Sequence, residues 1–209
     1  MFEEKSMSSA GAKNPKKKVR IESDEYLLRT LTVDDASDRW AGWMSDPEVM
    51  RMLNAPARKM SREDIVGYIK TFDQRSDLLL GIFEKRGGQH IGFFTINADY
   101  ALSQGVVNLL IGEAKYRHHG VLSVLRLQFA EYFFETLGLN KIMATALARN
   151  HVIIHYLVKT GWKLEKTLKR HVKSHADGTM LDLCFFSQSR DDWRAWKRTN
   201  LAEQQQSGP

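Results

Sequence analysis

A strand–helix–strand segment in the middle of the chain constrains the fold more than any other feature. Residues 109–122 begin as an apolar run, pass through a short polar turn and enter a helix whose apolar residues recur at three- and four-residue steps. Gly138 predicts the end of that helix, and residues 141–147 form the next strand-like apolar run. Because such a crossover forces its two strands to lie parallel, the segment from Val106 to Leu147 predicts a central parallel strand pair.

Capping residues and turn glycines predict the remaining elements. An extended stretch at 21–33 precedes two helices, the first capped by Thr32 or Asp34 and the second opened by a capping box of Ser61 and Asp64. Glycine-containing turns indicate one hairpin before the crossover and another near the end of the chain. The predicted hairpin strands are 78–84 with 90–98, and 162–172 with 179–187. The resulting order, β-α-α-β-β-β-α-β-α-β-β, predicts an α+β fold around one mixed, mostly antiparallel sheet flanked by helices.

The turn that leads into the central helix is suited to binding a phosphate. The first N–H groups of a helix have no carbonyl partners and carry the positive end of the helix dipole, so a diphosphate can dock there. Gly120 at the helix start and the cations Arg117, His118 and His119 favour this interpretation. A purely structural turn fits the same residues.

The positive charge of the chain is concentrated at its N-terminus. The formal net charge is +6, and residues 1–20 hold six basic residues against Glu3 and Glu4, which leaves about +2 for the rest. A basic surface spread over the fold, as in a nucleic-acid-binding domain, is therefore not expected. A length of 209 residues suits one domain. The predicted boundaries are a basic, disordered tail at 1–20, the domain at 21–199 and a polar tail at 200–209.

Cysteine content and hydropathy predict a cytoplasmic protein. Cys184 is the only cysteine, so no intramolecular disulfide can form and a reducing compartment fits. The sequence lacks an apolar run of about 18 residues, and charges stand where a signal peptide would need an apolar core. No contact with a membrane is expected.

Several short motifs follow one another in a fixed order across residues 21–193. They are Arg29-x-Leu31-Thr32-x-x-Asp35, Trp43-x-x-Asp46-Pro47-Glu48-Val49, Arg117-x-x-Gly120-x-Leu122, the run from Asn150 to Gly161-Trp162, Asp177-Gly178, Asp182 and Asp191-Asp192-Trp193. Together with the order of elements, they resemble the GNAT superfamily of acyl-coenzyme A dependent N-acyltransferases, and within it the RimJ/RimL-type branch.

The resemblance implies a site for acetyl-CoA, which serves as co-substrate. Its diphosphate would rest on the backbone N–H groups of the turn, with donors added by Arg117, and its pantetheine arm would pair with backbone groups of residues 109–111 like an added strand. Asn150 would help to hold the arm while also capping its helix. The residues implied to bind the cofactor are Leu110, Ile111, Gly112, Arg117, His118, His119, Gly120, Val121, Leu122 and Asn150.

The chain departs from the family pattern at the turn and at the proton donor. Leu122 replaces the second glycine of the usual turn, with its side chain expected in the core and its N–H left free. Leu157 stands where many members have the tyrosine that protonates the departing thiolate, and Tyr156 comes one residue early. One residue rotates a helix position by about 100°. Tyr156 therefore either points into the core or is recruited from the other side of the cleft.

A general base is harder to assign. Many relatives use a carboxylate on the strand before the turn, where this chain has Asn108 inside the strand and Glu113 only at its end. Glu113 is either exposed to solvent or the catalytic base. An amine with a pKa near 8 is already partly neutral at about pH 7, so a base helps without being obligatory.

Two histidine pairs were weighed as metal ligands. His151 and His155 are four residues apart on a predicted helix, and His171 and His175 are four apart near a hairpin turn. Neither pair has the cysteine or carboxylate neighbours that a metal site usually shows, so no metal is expected.

These observations predict an N-acetyltransferase that moves an acetyl group from acetyl-CoA to a primary amine by direct attack. The amine would belong to a protein N-terminus, an amino sugar or a small amine. The alternative is an acyl-CoA-binding sensor or regulatory module with little or no catalysis. Nucleic acid is not an expected partner, and a homodimer is compatible with the sequence.

Overall fold

The computed structural model describes residues 15–117 and 119–206, which form one sheet with helices on both faces. The strands are β1 Arg20–Glu22, β2 Tyr26–Thr30, β3 Asp77–Glu84, β4 His90–Asp99, β5 Gln104–Ile111, β6 Lys141–Leu147, β7 Lys163–Lys173 and β8 Met180–Ser189. The helices are α1 Asp38–Ser45, α2 Pro47–Leu53, α3 Arg62–Lys70, α4 Val121–Glu131, α5 His151–Lys159 and α6 Arg190–Gln206. The predicted α+β fold is confirmed.

The sheet has eight strands in the order β1-β2-β3-β4-β5-β6-β8-β7. All neighbours are antiparallel except β5 and β6, which are parallel as the crossover predicts. These two strands pair only from Gln104 opposite Lys141 to Val106 opposite Met143. Beyond that point they diverge, because β5 stays paired with β4 as far as Ile111 while β6 stays paired with β8 as far as Leu147. The divergence opens the sheet at its centre.

Alternating side chains divide the core into layers. On β3, Leu78, Leu80 and Ile82 face the layer that contains α4 and α6, and the intervening Leu79 faces α1, α2 and α3. The helix α5 packs separately on β6 and β8 through the buried Leu157. Cys184 is buried in that third cluster, where it acts as a small core residue. None of the helices in the described residues is long and apolar enough to cross a bilayer.

The first helix begins later than predicted. Thr32 caps only a short 3-10 turn, Val33–Asp35, and the N-cap of α1 is Ser37, whose side chain accepts a hydrogen bond from the Trp40 N–H. The Asp35 carboxylate accepts bonds from the Thr32 N–H and from both terminal nitrogens of Arg29, which closes the turn tightly. The chain is then extended at Ala36, so the helix has to start again.

The domain extends past both predicted boundaries. Val19 is only 4% exposed and belongs to the core, and β1 begins at Arg20, inside the segment predicted as a tail. At the other end, α6 continues to Gln206, inside the segment predicted as a polar tail. Local sequence did not reveal either extension, because Val19 is buried only through its contacts with distant strands.

Candidate functional site

The gap between β5 and β6 is the floor of a large cleft that passes through the sheet. Its volume is about 1490 Å³, and residues from both helical layers line it. On one side it runs between α4 and α5, and on the other it opens between α2, α3 and the β7–β8 hairpin. Lining residues include Leu109, Ile111, Gly120, Leu122, Asn150 and Tyr156 on the first side, and Met44, Met50, Asn54, Lys59, Tyr68 and Lys173 on the second.

The edge of β5 that faces the gap offers free backbone donors. Gly112 donates its N–H to the Ile91 carbonyl on the β4 side at 3.0 Å, and Ile111 lies opposite Gly92. Since N–H groups alternate in direction along an antiparallel strand, the N–H of Leu110 also points to β4, and those of Leu109 and Ile111 point into the gap. Of the three residues whose backbone groups are predicted to pair with the pantetheine arm, two therefore direct their N–H groups into the cleft.

The first turn of α4 presents donors to the same cleft. Gly120 is the N-cap, with a φ of 75°, and its carbonyl accepts the N–H groups of Ser123 at 2.8 Å and Val124 at 3.1 Å. The N–H groups of Val121 and Leu122 have no partner within the helix. A Cβ at Gly120 would meet no atom within 4 Å, so the space in front of these donors is open. Val121 is buried in the core, and Leu122 is partly buried against the same core cluster, as predicted, while also lining the cleft.

Arg117 has a different orientation from the one predicted. Its Nη2 donates to the Gly112 carbonyl at 2.6 Å and its Nε to the Ile111 carbonyl at 3.2 Å, and the guanidinium lies 3.7 Å from the Asp46 carboxylate. The guanidinium thus clamps the turn and does not present a free fork to a diphosphate. His119 is exposed next to Gly120, whereas His118 lies outside the described residues.

Gly112 is occupied by structural contacts. Its N–H and its carbonyl are both hydrogen-bonded, and a Cβ at this position would lie 2.0 Å from Cδ2 of Trp43. The residue is a glycine because the Trp43 indole packs directly on its backbone. It does not line the cleft, so the predicted cofactor contact has no support in the geometry.

Glu113 also contacts Trp43 and lies outside the cleft. Its Oε1 accepts a hydrogen bond from the Trp43 Nε1 at 2.9 Å, and Nε of Arg39 is 3.9 Å away. The sequence left two alternatives for Glu113, a solvent-exposed side chain or a catalytic base. In the structure its side chain is only 21% exposed, and it does not line the cleft. It anchors α1 to the end of β5.

Tyr156 and Asn150 face the cleft from α5. The Tyr156 hydroxyl donates to the Leu122 carbonyl at 3.2 Å, and burial raises the pKa of this phenol well above its usual value. Asn150 caps α5 by accepting the Ile153 N–H at 3.4 Å, and it also lines the cleft. Leu157, at the usual tyrosine position, is buried against β6 and β8. Tyr156 packs partly against the third core cluster and also lines the cleft, so it has features of both alternatives, and its role in the reaction stays a prediction.

A contact between α2 and the β7–β8 hairpin, which sequence reasoning missed, bridges the second mouth of the cleft. Asn54 donates from Nδ2 to the Lys173 carbonyl at 3.0 Å and accepts the His175 N–H at 3.2 Å. Arg149 donates from Nη2 to the Arg51 carbonyl at 2.8 Å. The only local signal is an asparagine at the end of a helix, since Asn54 has a φ of 51° and asparagine tolerates that conformation.

The histidine pairs lie apart from one another. His151 and His155 are exposed on α5, and His171 packs edge-on against Phe185 with ring centroids 6.3 Å apart. Among the described residues there is no group of three or more histidine, cysteine, aspartate or glutamate side chains that could hold a metal ion. The expectation that no metal is needed remains a prediction.

The sequence model of a known family matches most of the folded region. The sequence model of a family described as Acetyltransferase (GNAT) domain matches residues 26–163. The match begins with β2 and ends at the start of β7, so it includes the cleft between β5 and β6. A search of curated protein sequences gives no significant match.

Solved structures with the same fold include acetyltransferases of several kinds. An acetyltransferase (GNAT family) from Bacillus anthracis superposes with a TM-score of 0.70 at 16% identity, covering 83% of this chain and 99% of that one. A ribosomal-protein-S5-alanine acetyltransferase from Vibrio fischeri gives a TM-score of 0.71 at 18% identity, with coverage of 84% and 98%. A spermidine N-acetyltransferase from Vibrio cholerae, in complex with CoA and spermine, gives 0.72 at 16%, with coverage of 81% and 98%. At these sequence identities, the similarity shows only that the fold is shared.

Proposed function

The chain belongs to the GNAT acetyltransferase family, and we propose that it transfers an acetyl group from acetyl-CoA to a primary amine in the manner of the RimJ/RimL-type branch. The observation that carries this proposal is the cleft itself. Free N–H groups on the edge of β5 and at the start of α4 meet at one end of a gap in the sheet, and that gap leads to a second mouth between α2, α3 and the β7–β8 hairpin.

The proposed cofactor site uses backbone more than side chains. The N–H groups of Val121 and Leu122 would hold the diphosphate, since they are free and lie at the positive end of the α4 dipole. The N–H groups of Leu109 and Ile111, with the side chain of Asn150, would hold the pantetheine arm. Arg117 lines the cleft and would support the turn through its bonds to the carbonyls of Ile111 and Gly112. Acetyl-CoA, when bound, supplies a thioester whose carbonyl carbon accepts the amine.

The proposed reaction is a direct displacement at that thioester. The amine nitrogen forms a bond to the carbonyl carbon, the carbon–sulfur bond breaks, and the electron pair leaves with sulfur. The amine loses one proton and the thiolate gains one. Of the two β5 N–H groups that face the gap, those of Leu109 and Ile111, one would donate to the oxyanion and the other to the arm, because the N–H of Leu110 is directed to β4. Tyr156 is the candidate proton donor, since burial keeps its phenol protonated.

The acceptor would be a protein N-terminus, an amino sugar or a small amine. Two proteins of the same fold act on a ribosomal-protein alanine and on spermidine, according to their names, so this fold accommodates both a peptide and a polyamine. Those substrates do not carry over to this chain. The direct test is calorimetry with acetyl-CoA, followed by measurement of thiol release with a panel of amines that includes N-terminal peptides, amino sugars and polyamines.

The outcomes separate the proposal from its alternative. Binding of acetyl-CoA with amine-dependent thiol release supports the acetyltransferase. Binding of acetyl-CoA without thiol release for any amine would favour an acyl-CoA sensor. The position of Glu113 outside the cleft is compatible with that alternative. Absence of binding would eliminate both.

A further inference from the structure

Four cationic side chains surround the second mouth of the cleft, which is the side where the proposed function needs an amine to enter. Arg58, Lys59 and Lys173 line the cleft. Arg149 lies next to Asn150 and is hydrogen-bonded to α2. These four residues are called the mouth cations below. They come from the loop after α2, the loop after β6 and the end of β7, so only the tertiary structure brings them together.

The mouth cations are carried on anchored backbone. Ser45 donates its hydroxyl to the Arg58 carbonyl at 3.0 Å and accepts the Met60 N–H at 3.3 Å, which fixes the loop on both sides of Lys59. The carbonyl of Lys173 accepts from Asn54. The backbone that carries Arg58, Lys59 and Lys173 is therefore held in place at the mouth.

The four cations outnumber the acids that line the mouth or interact with Arg149, which in the described residues are Glu48, Asp64 and Asp177. In the part of the chain that the structure describes, none of the mouth cations forms an ion pair with a carboxylate, and the Nε of Arg149 is buried without a hydrogen-bond partner. Asp64 lines the mouth, and its charged carboxylate accepts hydrogen bonds from the N–H and hydroxyl of Ser61. Asp177 is bonded to Thr179 in the hairpin turn and interacts electrostatically with Arg149. Glu48 is the remaining acid of the lining.

We infer that the acceptor is a primary amine that carries a carboxylate or phosphate close to the reacting nitrogen, with the mouth cations binding that anion. The inference rests on the proposed acetyl transfer and specifies its substrate class. The three cations that line the mouth raise the local concentration of an anionic substrate, and the adjacent guanidinium of Arg149 adds positive charge and terminal donors suited to a planar anion. The same charges repel polyamines, which carry several positive charges.

Matched substrate pairs test this inference. Acetyl transfer is measured with the peptides Ala-Asp-Asp and Ala-Lys-Lys, with glucosamine 6-phosphate and glucosamine, and with spermidine. We expect kcat/KM to be about tenfold or more higher for the anionic member of each pair, and that preference to shrink as added salt shortens the screening length to below about 8 Å. The two pairs distinguish a peptide carboxylate from a phosphate as the source of the anion.

Charge-reversal variants test whether the mouth cations cause the preference for anionic acceptors. The double variant Lys59→Glu with Lys173→Glu should remove or invert the preference, and Arg149→Met should raise KM for the anionic acceptor with a smaller change in kcat. The matched control is Arg86→Glu, an exposed cation on the β3–β4 turn, which should leave the preference unchanged. Both lysines are exposed, so their substitution is compatible with folding.

The results also separate this inference from the proposed function. Equal or faster acetylation of spermidine, glucosamine or Ala-Lys-Lys would overturn the inference and leave the acetyltransferase intact. Failure of every amine to release thiol would overturn the proposed function and this inference with it. A preference for anionic acceptors that survives the double charge reversal would also overturn the assignment to the mouth cations.

Discussion

The hydroxyl of Tyr156 donates a hydrogen bond of 3.2 Å to the main-chain carbonyl of Leu122, and this contact joins α5 to the first turn of α4 across the cleft. Leu122 belongs to the turn proposed to hold the diphosphate, so the phenol lies beside the path proposed for the pantetheine arm. One side chain therefore connects the two helices and is also the proton donor proposed above. The first prediction separates those two roles.

Replacement of Tyr156 by phenylalanine should lower kcat by about 10²-fold near neutral pH, the usual scale for loss of a general acid. The deficit should narrow above about pH 8.5, where the coenzyme thiolate leaves without a proton. Stability should fall by only about 1 kcal/mol, the net value of one hydrogen bond. Tyr132→Phe is the control, since Tyr132 is buried but does not line the cleft. A pH-independent deficit would mean that Tyr156 only positions the helices.

Gly120 tests the diphosphate site. Asparagine and aspartate have the same shape and both tolerate a φ of 75°, so they differ at this position chiefly in charge. Gly120→Asp should weaken acetyl-CoA binding by about tenfold or more relative to Gly120→Asn, because its carboxylate would face the diphosphate. Calorimetry gives the two affinities, and thermal unfolding should show similar stabilities. Equal affinities would contradict docking at this turn.

Glu113 should be dispensable for the chemistry. Since it lies outside the cleft, Glu113→Gln should leave kcat/KM and its pH profile nearly unchanged. Glu113→Leu should instead destabilise the fold by about 1–3 kcal/mol, because it leaves the Trp43 indole N–H without an acceptor. Steady-state kinetics and urea unfolding measure the two effects. Loss of the acidic limb of the pH profile in Glu113→Gln would identify Glu113 as a base after all.

The ion pair between Arg29 and Asp35 should make the free energy of unfolding depend on pH. Burial raises the pKa of Asp35, but hydrogen bonds from Arg29 and Thr32 outweigh it and leave the pKa below its ordinary value. A carboxyl whose pKa is lowered on folding stabilises the protein above its unfolded pKa of about 3.9, and this stabilisation is lost as pH falls through the folded pKa.

Asp35→Asn should therefore cost about 2 kcal/mol near neutral pH, the scale of a hydrogen bond between charged groups. The difference from the unsubstituted protein should shrink progressively below about pH 4. Urea unfolding across this pH range checks the result, with Asp34→Asn, an exposed neighbour, as the control. A difference that stays constant with pH would assign the loss to packing.

The order of elements and several of their ends could be predicted because they depend on neighbours along the chain. Ser61 and Asp64 form the predicted capping box, Asn150 caps α5, and Gly120 begins α4 with a positive φ. The parallel pairing of β5 and β6 follows from the connection alone. The first helix was misplaced because the bond of Asp35 to Arg29 involves two elements.

The site was predicted less completely than the fold. Backbone donors at the start of α4 follow from helix geometry, whereas the orientation of a side chain depends on what surrounds it. Arg117 turns to the carbonyls of Ile111 and Gly112 because they lie within its reach at the end of β5. Gly112 was assigned to the cofactor because the sequence does not show that Trp43 packs on it.

The sheet with its parallel pair and the turn that begins α4 follow from the sequence alone, since caps, periodicity and crossovers act over short distances along the chain. Membership of the GNAT family also follows from the sequence, through its match to the family model. Which side chains meet in the cleft depends on the tertiary structure. Tyr156 reaches Leu122 over 34 positions and Asn54 reaches Lys173 over 119. Such contacts form only when distant segments pack together in the folded chain. The positive charge around the second mouth of the cleft arises for the same reason.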